Sequence, residues 1–186
     1  EGDETTGTVL MERVFPGTPL SKIDGPDRDS YIIIRDQVRK LREVSPEGYP
    51  GLETYLNCDD PLVKFMLASQ RDSVFLHGDL HHENVLLGKE GWVTIDPKGL
   101  RGDRAFEAAA FIRNPIPAIA SWPDLNYRLR ERINAWSKEL ESEPWRIWGW
   151  ALCCLRDGES VPGSHWDVVR DELEKLWPDE VPVECR

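Results

Sequence analysis

The stretch His77-Gly78-Asp79-Leu80-His81-His82-Glu83-Asn84-Val85-Leu86-Leu87 constrains this chain more than any other. An apolar run, Ser73-Val74-Phe75-Leu76, leads into a polar loop crowded with histidines and acids. Two short apolar runs follow, Val85-Leu86-Leu87 and Trp92-Val93-Thr94-Ile95, joined by Gly88-Lys89-Glu90-Gly91. Short apolar runs separated by a glycine-containing turn predict a β-hairpin. A tight hairpin brings its two ends together, so Asn84 and Asp96 are expected as neighbours. An amide oxygen beside a carboxylate is a donor pair that a hard cation such as Mg²⁺ prefers. Asp79, at the start of the same loop, is then placed to orient a hydroxyl next to that metal.

The pattern His-Gly-Asp-Leu-His-His-x-Asn-Val-Leu, followed by Ile95-Asp96-Pro97-Lys98, Gly102-Asp103 and Arg113-Asn114, resembles the aminoglycoside phosphotransferases. Within them it is most similar to the streptomycin 6-phosphotransferase and hydroxyurea resistance kinase branch. The resemblance runs from about Val9 to about Asp157 and is densest around residues 75 to 114. Gly78 stands where protein kinases carry Arg, which separates this pattern from theirs. The resemblance implies transfer of a γ-phosphate from ATP, or GTP, to a hydroxyl of a cationic small molecule, streptomycin first. It assigns Asp79 as the catalytic base and Asn84 and Asp96 as Mg²⁺ ligands. His77 and His81 become loop architecture, and the backbone of Glu12 and Val14 a hinge that meets the nucleotide base.

The implied fold is α+β and mostly helical, the C-terminal lobe of a kinase-like fold with a catalytic hairpin. Residues 1–20 would be the last strand and hinge of an N-terminal lobe that is otherwise absent. Residues 21–186 would be the helical lobe, with the catalytic loop at 77–84 and the metal hairpin at 85–96. The chain opens on Glu1 and contains neither Gly-x-Gly-x-x-Gly nor a Walker-type Gly-Lys-Ser/Thr loop. A truncated form, inactive alone, is the expectation.

With 186 residues, 40% hydrophobic and 31% charged, the chain suits one globular domain. A net charge of -11 argues against nucleic-acid and anionic-membrane partners, which would be repelled. An acidic surface suits a cationic substrate, and equally serves solubility alone. No run reaches transmembrane length. Cys58, Cys153, Cys154 and Cys185 lack metal-ligand spacing, which predicts reduced core thiols in a cytoplasmic protein.

In chain order, Thr8 to Glu12 reads as a strand and Arg13 to Leu20 as a connector broken by Pro and Gly. Amphipathic spacing predicts a helix over 27–44, and Pro61 opens a second helix through about Gln70. Asp103 is a fitting N-cap for a helix from Arg104 to about Arg113, which Asn114-Pro115-Ile116-Pro117 ends. Relatives usually carry Asp at Glu107, so Glu107 is left outside the site. Three further helices are expected over 123–141, 144–157 and 164–177, with Trp145, Trp148 and Trp150 as packing, then a loose tail from Pro178. Lys98 reads as a solvated loop lysine, although it could approach a phosphate. Asp124, Asp157 and Glu159 are acids that either contact a cationic sugar or serve the surface.

Two readings from other classes stand beside this one. His77-x-Asp79-x-His81-His82 is dense enough in imidazole to suggest a zinc hydrolase, though that leaves Asn84 and Asp96 without a task. A non-catalytic lobe derived from a kinase is the other. Within the kinase reading, the alternative acceptor is another small hydroxylated molecule such as hydroxyurea.

Overall fold

The computed structural model describes residues 2–3, 5–6, 8–9, 11–56, 59–157 and 163–186. Cys58 and Glu159 lie outside the described residues. At the front, β1 (Gly2–Asp3) and β2 (Thr8–Val9) pair with each other. The strand expected over 8–12 is therefore shorter, since Met11 and Glu12 carry no regular structure. The expected connector instead contains a strand, β3 (Pro16–Pro19), on the edge of a three-stranded sheet. Proline cannot donate to a ladder, and an edge is where that lack is tolerated.

Helix α1 (Asp27–Leu41) buries Ile34 and Val38 and carries Asp27 and Asp29 in its first turn, where the helix dipole favours anions. After the single turn α2 (Leu52–Tyr55), helix α3 (Pro61–Ala68) opens on a cap. The Asp60 carboxylate accepts from the Leu62 and Val63 N–H groups at 2.8 and 3.3 Å. Its buried residues Leu62, Val63 and Met66 belong to the main core.

Four short strands then frame the central stretch: β4 (Val74–Leu76), β5 (Val85–Gly88), β6 (Gly91–Thr94) and β7 (Leu100–Gly102). The expected hairpin is β5 with β6, Val85 facing Thr94 and Gly88 facing Gly91. β3 adds to its outer side, and β4 pairs antiparallel with β7, Leu76 facing Leu100. The chain therefore leaves one ladder through residues 77–84 and returns to it through residues 95–99. These two loops are pinned at both ends, and that pairing positions the site.

The helix expected from Arg104 forms in two parts, a 3-10 turn (Arg104–Ala108) and α4 (Ala109–Ile112). Every residue from Ala105 to Ile112 is buried, so this segment is set by the core around it. Asp103 caps it through the Ala105 N–H at 3.0 Å, as its side chain predicted. Helices α5 (Leu125–Glu139), α6 (Pro144–Asp157) and α7 (His165–Glu174) complete the α+β architecture, in which helix outweighs strand.

Helix α6 is the axis of the core. Trp148 and Trp150 are fully buried on it, in the packing role the sequence suggested, and Trp145 packs at the margin. At Gly149 an added Cβ would lie 2.7 Å from Met66 Sδ, so glycine lets α3 and α6 approach closely. The expected loose tail is a correction. Val181 and Cys185 are buried, and a 3-10 turn (Val183–Cys185) rests beside α3. Arg156 on α6 holds it by donating to the Cys185 carbonyl at 2.9 Å. Among the described residues no helix is long and apolar enough to cross a membrane.

Candidate active site

The loop carrying Asp79 begins with a turn that requires glycine. Gly78 has φ +81°, and a Cβ there would meet Leu100 Cδ1 at 3.0 Å and Lys98 Cβ at 3.2 Å. His77 then ties the two loops together. Its Nδ1 accepts from the Asp79 N–H at 3.3 Å, so Nε2 carries the proton and donates to the Ile95 carbonyl at 3.0 Å. Burial lowers the His77 pKa, which keeps the ring neutral for this arrangement. The Lys98 N–H donates to the His77 carbonyl at 2.7 Å and adds a second tie.

Asn84 is held from three sides. Its N–H donates to the His81 carbonyl at 3.0 Å, and its carbonyl accepts from Ile95 N–H at 3.0 Å. Its Nδ2 donates to the Asp79 carbonyl at 2.9 Å, which fixes the amide and leaves Oδ1 to face away from that bond. Asp96 follows directly on the Asn84–Ile95 pair, exposed, with a left-handed φ of 57° that turns the chain out of the hairpin. Asp tolerates this conformation better than most residues. His81 Nδ1 accepts from the Glu83 N–H at 3.2 Å, and its Nε2 lies 3.8 Å from Asp79 Oδ2. Burial lowers its pKa as well.

The Asp79 carboxylate faces two cations. Arg113 Nη2 lies 3.4 Å from one oxygen and Lys98 Nζ 3.8 Å from the other. Lys98 is exposed, as expected of a loop lysine, and its ammonium still reaches towards the Asp79 carboxylate. Arg113, at the end of α4, has a mostly buried side chain, and the Arg113-Asn114 pair is its one mark in the sequence, which assigns it no place in the site.

Glu107, set aside at the sequence level, is fully buried directly beneath the loop. Its carboxylate accepts from the His77 N–H at 2.7 Å. Burial raises its pKa to about 7 against the pull of that hydrogen bond. It holds the loop without touching the groups that would react. Glu for Asp keeps the carboxylate, which was the one available signal.

The histidines do not gather as a zinc hydrolase needs. His82 turns away and stacks on Phe111, with ring centroids 5.2 Å apart and planes within 16°. Burial drives its pKa down to about 3. Among the described residues no group of three His, Cys, Asp or Glu side chains is placed to hold a metal ion. The Asn84 amide oxygen and the Asp96 carboxylate are hard donors of the kind Mg²⁺ prefers.

Val14 lies beside the turn end of the hairpin, its Cγ1 3.6 Å from the position of an added Gly88 Cβ, whereas Glu12 is exposed with no regular structure. From Asn84 to Gly88 the strand spans about 13 Å at roughly 3.3 Å per residue. That separates Val14 from the acidic end of the hairpin. Asp157 ends α6 within electrostatic reach of the Tyr55 and Cys154 side chains, as Asp79 is. Asp124 is exposed, at a left-handed φ of 56° before α5.

Residues 56–161 match the family described as "Aminoglycoside/hydroxyurea antibiotic resistance kinase". The chain is 32% identical to a streptomycin 3''-kinase from Klebsiella pneumoniae over 78% of its own length and 63% of the relative's. It is 27% identical to a streptomycin 6-kinase from Streptomyces griseus, over 97% of the chain and 64% of that protein. A hydroxyurea phosphotransferase from Kitasatospora aureofaciens is 32% identical over 74% of the chain and 49% of its own length. The chain thus spans less than two thirds of the length of each of these relatives.

Proposed function

The chain belongs to the aminoglycoside/hydroxyurea antibiotic resistance kinase family, and on that premise we propose that it carries the catalytic loop of an ATP-dependent kinase acting on an aminoglycoside hydroxyl, streptomycin first. One observation carries the reading: the Asn84 side-chain amide donates to the Asp79 carbonyl within one loop, and the Asn84 carbonyl accepts from the N–H of Ile95, the residue before Asp96, in the other. Such fixed placement is what phosphoryl transfer asks of a protein, because positioning and charge neutralisation supply most of the rate.

In this reading Asp79 accepts a hydrogen bond from the acceptor hydroxyl and aims its oxygen at the γ-phosphorus. As the new P–O bond forms, the bond to the departing ADP oxygen breaks and the hydroxyl proton passes to the Asp79 carboxylate. Arg113 and Lys98 hold that carboxylate in place and face the incoming negative charge. Asn84 Oδ1 and Asp96 would hold Mg²⁺, which when bound neutralises charge on the phosphates. The backbone at Glu12 and Val14 would meet the base of ATP or GTP from the turn end of the hairpin. Residues 1–20 serve as strand and hinge and 21–186 as the helical lobe, in the cytoplasm where nucleotide is abundant. Hydroxyurea is the second acceptor, favoured by the 32% identity to a hydroxyurea phosphotransferase.

The test is ADP release by full-length protein with Mg²⁺-ATP and streptomycin, hydroxyurea or a panel of aminoglycosides. Asp79→Asn should lower acceptor-dependent release by several orders of magnitude while nucleotide binding persists. Turnover that survives the substitution would sink the mechanism, and release with no acceptor would remove the aminoglycoside assignment.

A further inference from the structure

The main chain of Asp79 is tied on both sides, and its carboxylate is not. The Asp79 N–H donates to His77 Nδ1 at 3.3 Å, and the Asp79 carbonyl accepts from Asn84 Nδ2 at 2.9 Å. Neither bond restrains the side-chain torsions that decide where the carboxylate points. Arg113 does, because its Nη2 donates to Asp79 Oδ1 at 3.4 Å. That bond is long, as catalytic hydrogen bonds often are before substrate closes a site. Oδ2 has no such partner: Lys98 Nζ and His81 Nε2 both stand 3.8 Å away, beyond hydrogen-bond length. The two oxygens of the candidate base are therefore unequal.

Arg113 is itself firmly placed. Its side chain is 12% exposed, against 40% for Lys98. Buried Arg132 on α5 donates to the carbonyls of Phe111 and Ile112 before it and of Asn114 after it, which pins the backbone on both sides. The Trp166 ring, its centre 5.7 Å from the guanidinium carbon, backs the cation. The two arginines then differ in what they do with their donors. Arg132 donates from Nε and both terminal nitrogens, whereas Arg113 Nε is buried with no hydrogen-bond partner. An arginine that served packing alone would find acceptors for such a donor. Arg113 instead faces one carboxylate oxygen.

We propose that Arg113 is a positioning residue of the transfer, which engages Asp79 Oδ1 and thereby presents Oδ2 to the acceptor hydroxyl. Oδ2 takes the hydroxyl proton as the new P–O bond forms and the ADP oxygen leaves, and Arg113 keeps its own protons throughout. Arginine suits the task because its guanidinium stays charged and its planar fork fixes an oxygen that an ammonium only attracts. The inference rests on the kinase reading of Asp79 and adds which oxygen reacts and what aims it.

Steady-state kinetics on the full-length protein with Mg²⁺-ATP and streptomycin test it, with guanidinium and urea as added probes. Arg113→Ala should lower kcat roughly 100-fold, the size of a lost reactive orientation, with the KM for ATP unchanged and that for streptomycin not raised. Millimolar guanidinium should restore much of the loss, and urea, which has the same shape without the charge, should not. Arg113→Lys keeps the buried charge without the fork and should still lower kcat, which provides a second variant if the alanine one does not fold. Rescue by urea as full as by guanidinium would overturn the proposal, because Arg113 would then only fill space. Wild-type kcat in either variant would also overturn it, and loss of turnover in Asp79→Asn beside that result would leave the kinase reading standing. A raised streptomycin KM at unchanged kcat would place Arg113 in binding and overturn it as well. Wild-type protein that releases no ADP with any acceptor would overturn the kinase reading and this positioning role together.

Discussion

Glu107 and His82 are both buried, one beneath the loop of the candidate base and one within it, and their titrations pull stability in opposite directions. The Glu107 pKa is raised from 4.5 to about 7, so between those values the folded chain binds the proton more tightly than the unfolded one. Stability then falls as pH rises through that window. The His82 pKa is lowered from 6.5 to about 3, so between those values the unfolded chain binds the extra proton. Stability from this group is complete above pH 6.5 and is lost as pH falls towards 3. Urea unfolding from pH 4 to 8 should show Glu107→Gln, which can still accept from His77 N–H, flattening the loss on the alkaline side. His82→Phe, which keeps the stack on Phe111, should flatten the loss on the acid side. Unchanged profiles in both variants would mean that neither group is buried as described. The hairpin and the loop that carry Asp79, Asn84 and Asp96 were legible from the apolar runs and the glycine turn around them. Glu107 and Arg113 were not, since each reaches the loop across at least 30 residues of chain. Glu107 does so through a backbone N–H, which leaves no mark on side-chain identity.

Helices α1, α4 and α5 meet at one buried cation. Arg132 on α5 donates to the Phe111 and Ile112 carbonyls at 2.6 and 3.2 Å and to the Asn114 carbonyl, the orphan acceptors at the end of α4. It also donates to Asp27 in the first turn of α1 at 3.0 Å. Its guanidinium lies 4.2 Å from the Phe111 ring centre and 4.7 Å from that of Trp122. Arg132→Met should destabilise the fold by about 3–5 kcal/mol in urea denaturation, the usual result of breaking one side of a buried pair. A change below about 1 kcal/mol, within the range of exposed pairs, would show that solvent reaches this junction. The helices themselves were legible from apolar spacing and proline starts, and α6 begins at Pro144 as expected. Strand β3 was not, because Pro16 and Pro19 read as breakers when no partner strand is in view. What allows it is β5, some 70 residues further on.

The chain closes on itself through its last residues, which no local pattern announced. Arg156 donates to the Cys185 carbonyl at 2.9 Å and to Glu174 at 3.1 Å, and it lies 3.4 Å from Asp60 at the start of α3. Removing residues 178–186 would expose the surface under Val181 and Cys185, on the order of 2–3 kcal/mol of apolar burial. For a chain of this length the midpoint of thermal unfolding should fall by about 5–10 °C. An unchanged midpoint would make the tail a passive appendage. The paired ladders that clamp residues 77–84 and 95–99 share no residue with helices α5, α6 and α7. Inheritance can therefore act on the loop frame and on the helices separately, and a lineage built this way can vary one while the other stands still. Its relatives bear names of that pattern, with streptomycin marked at two different positions and hydroxyurea beside it.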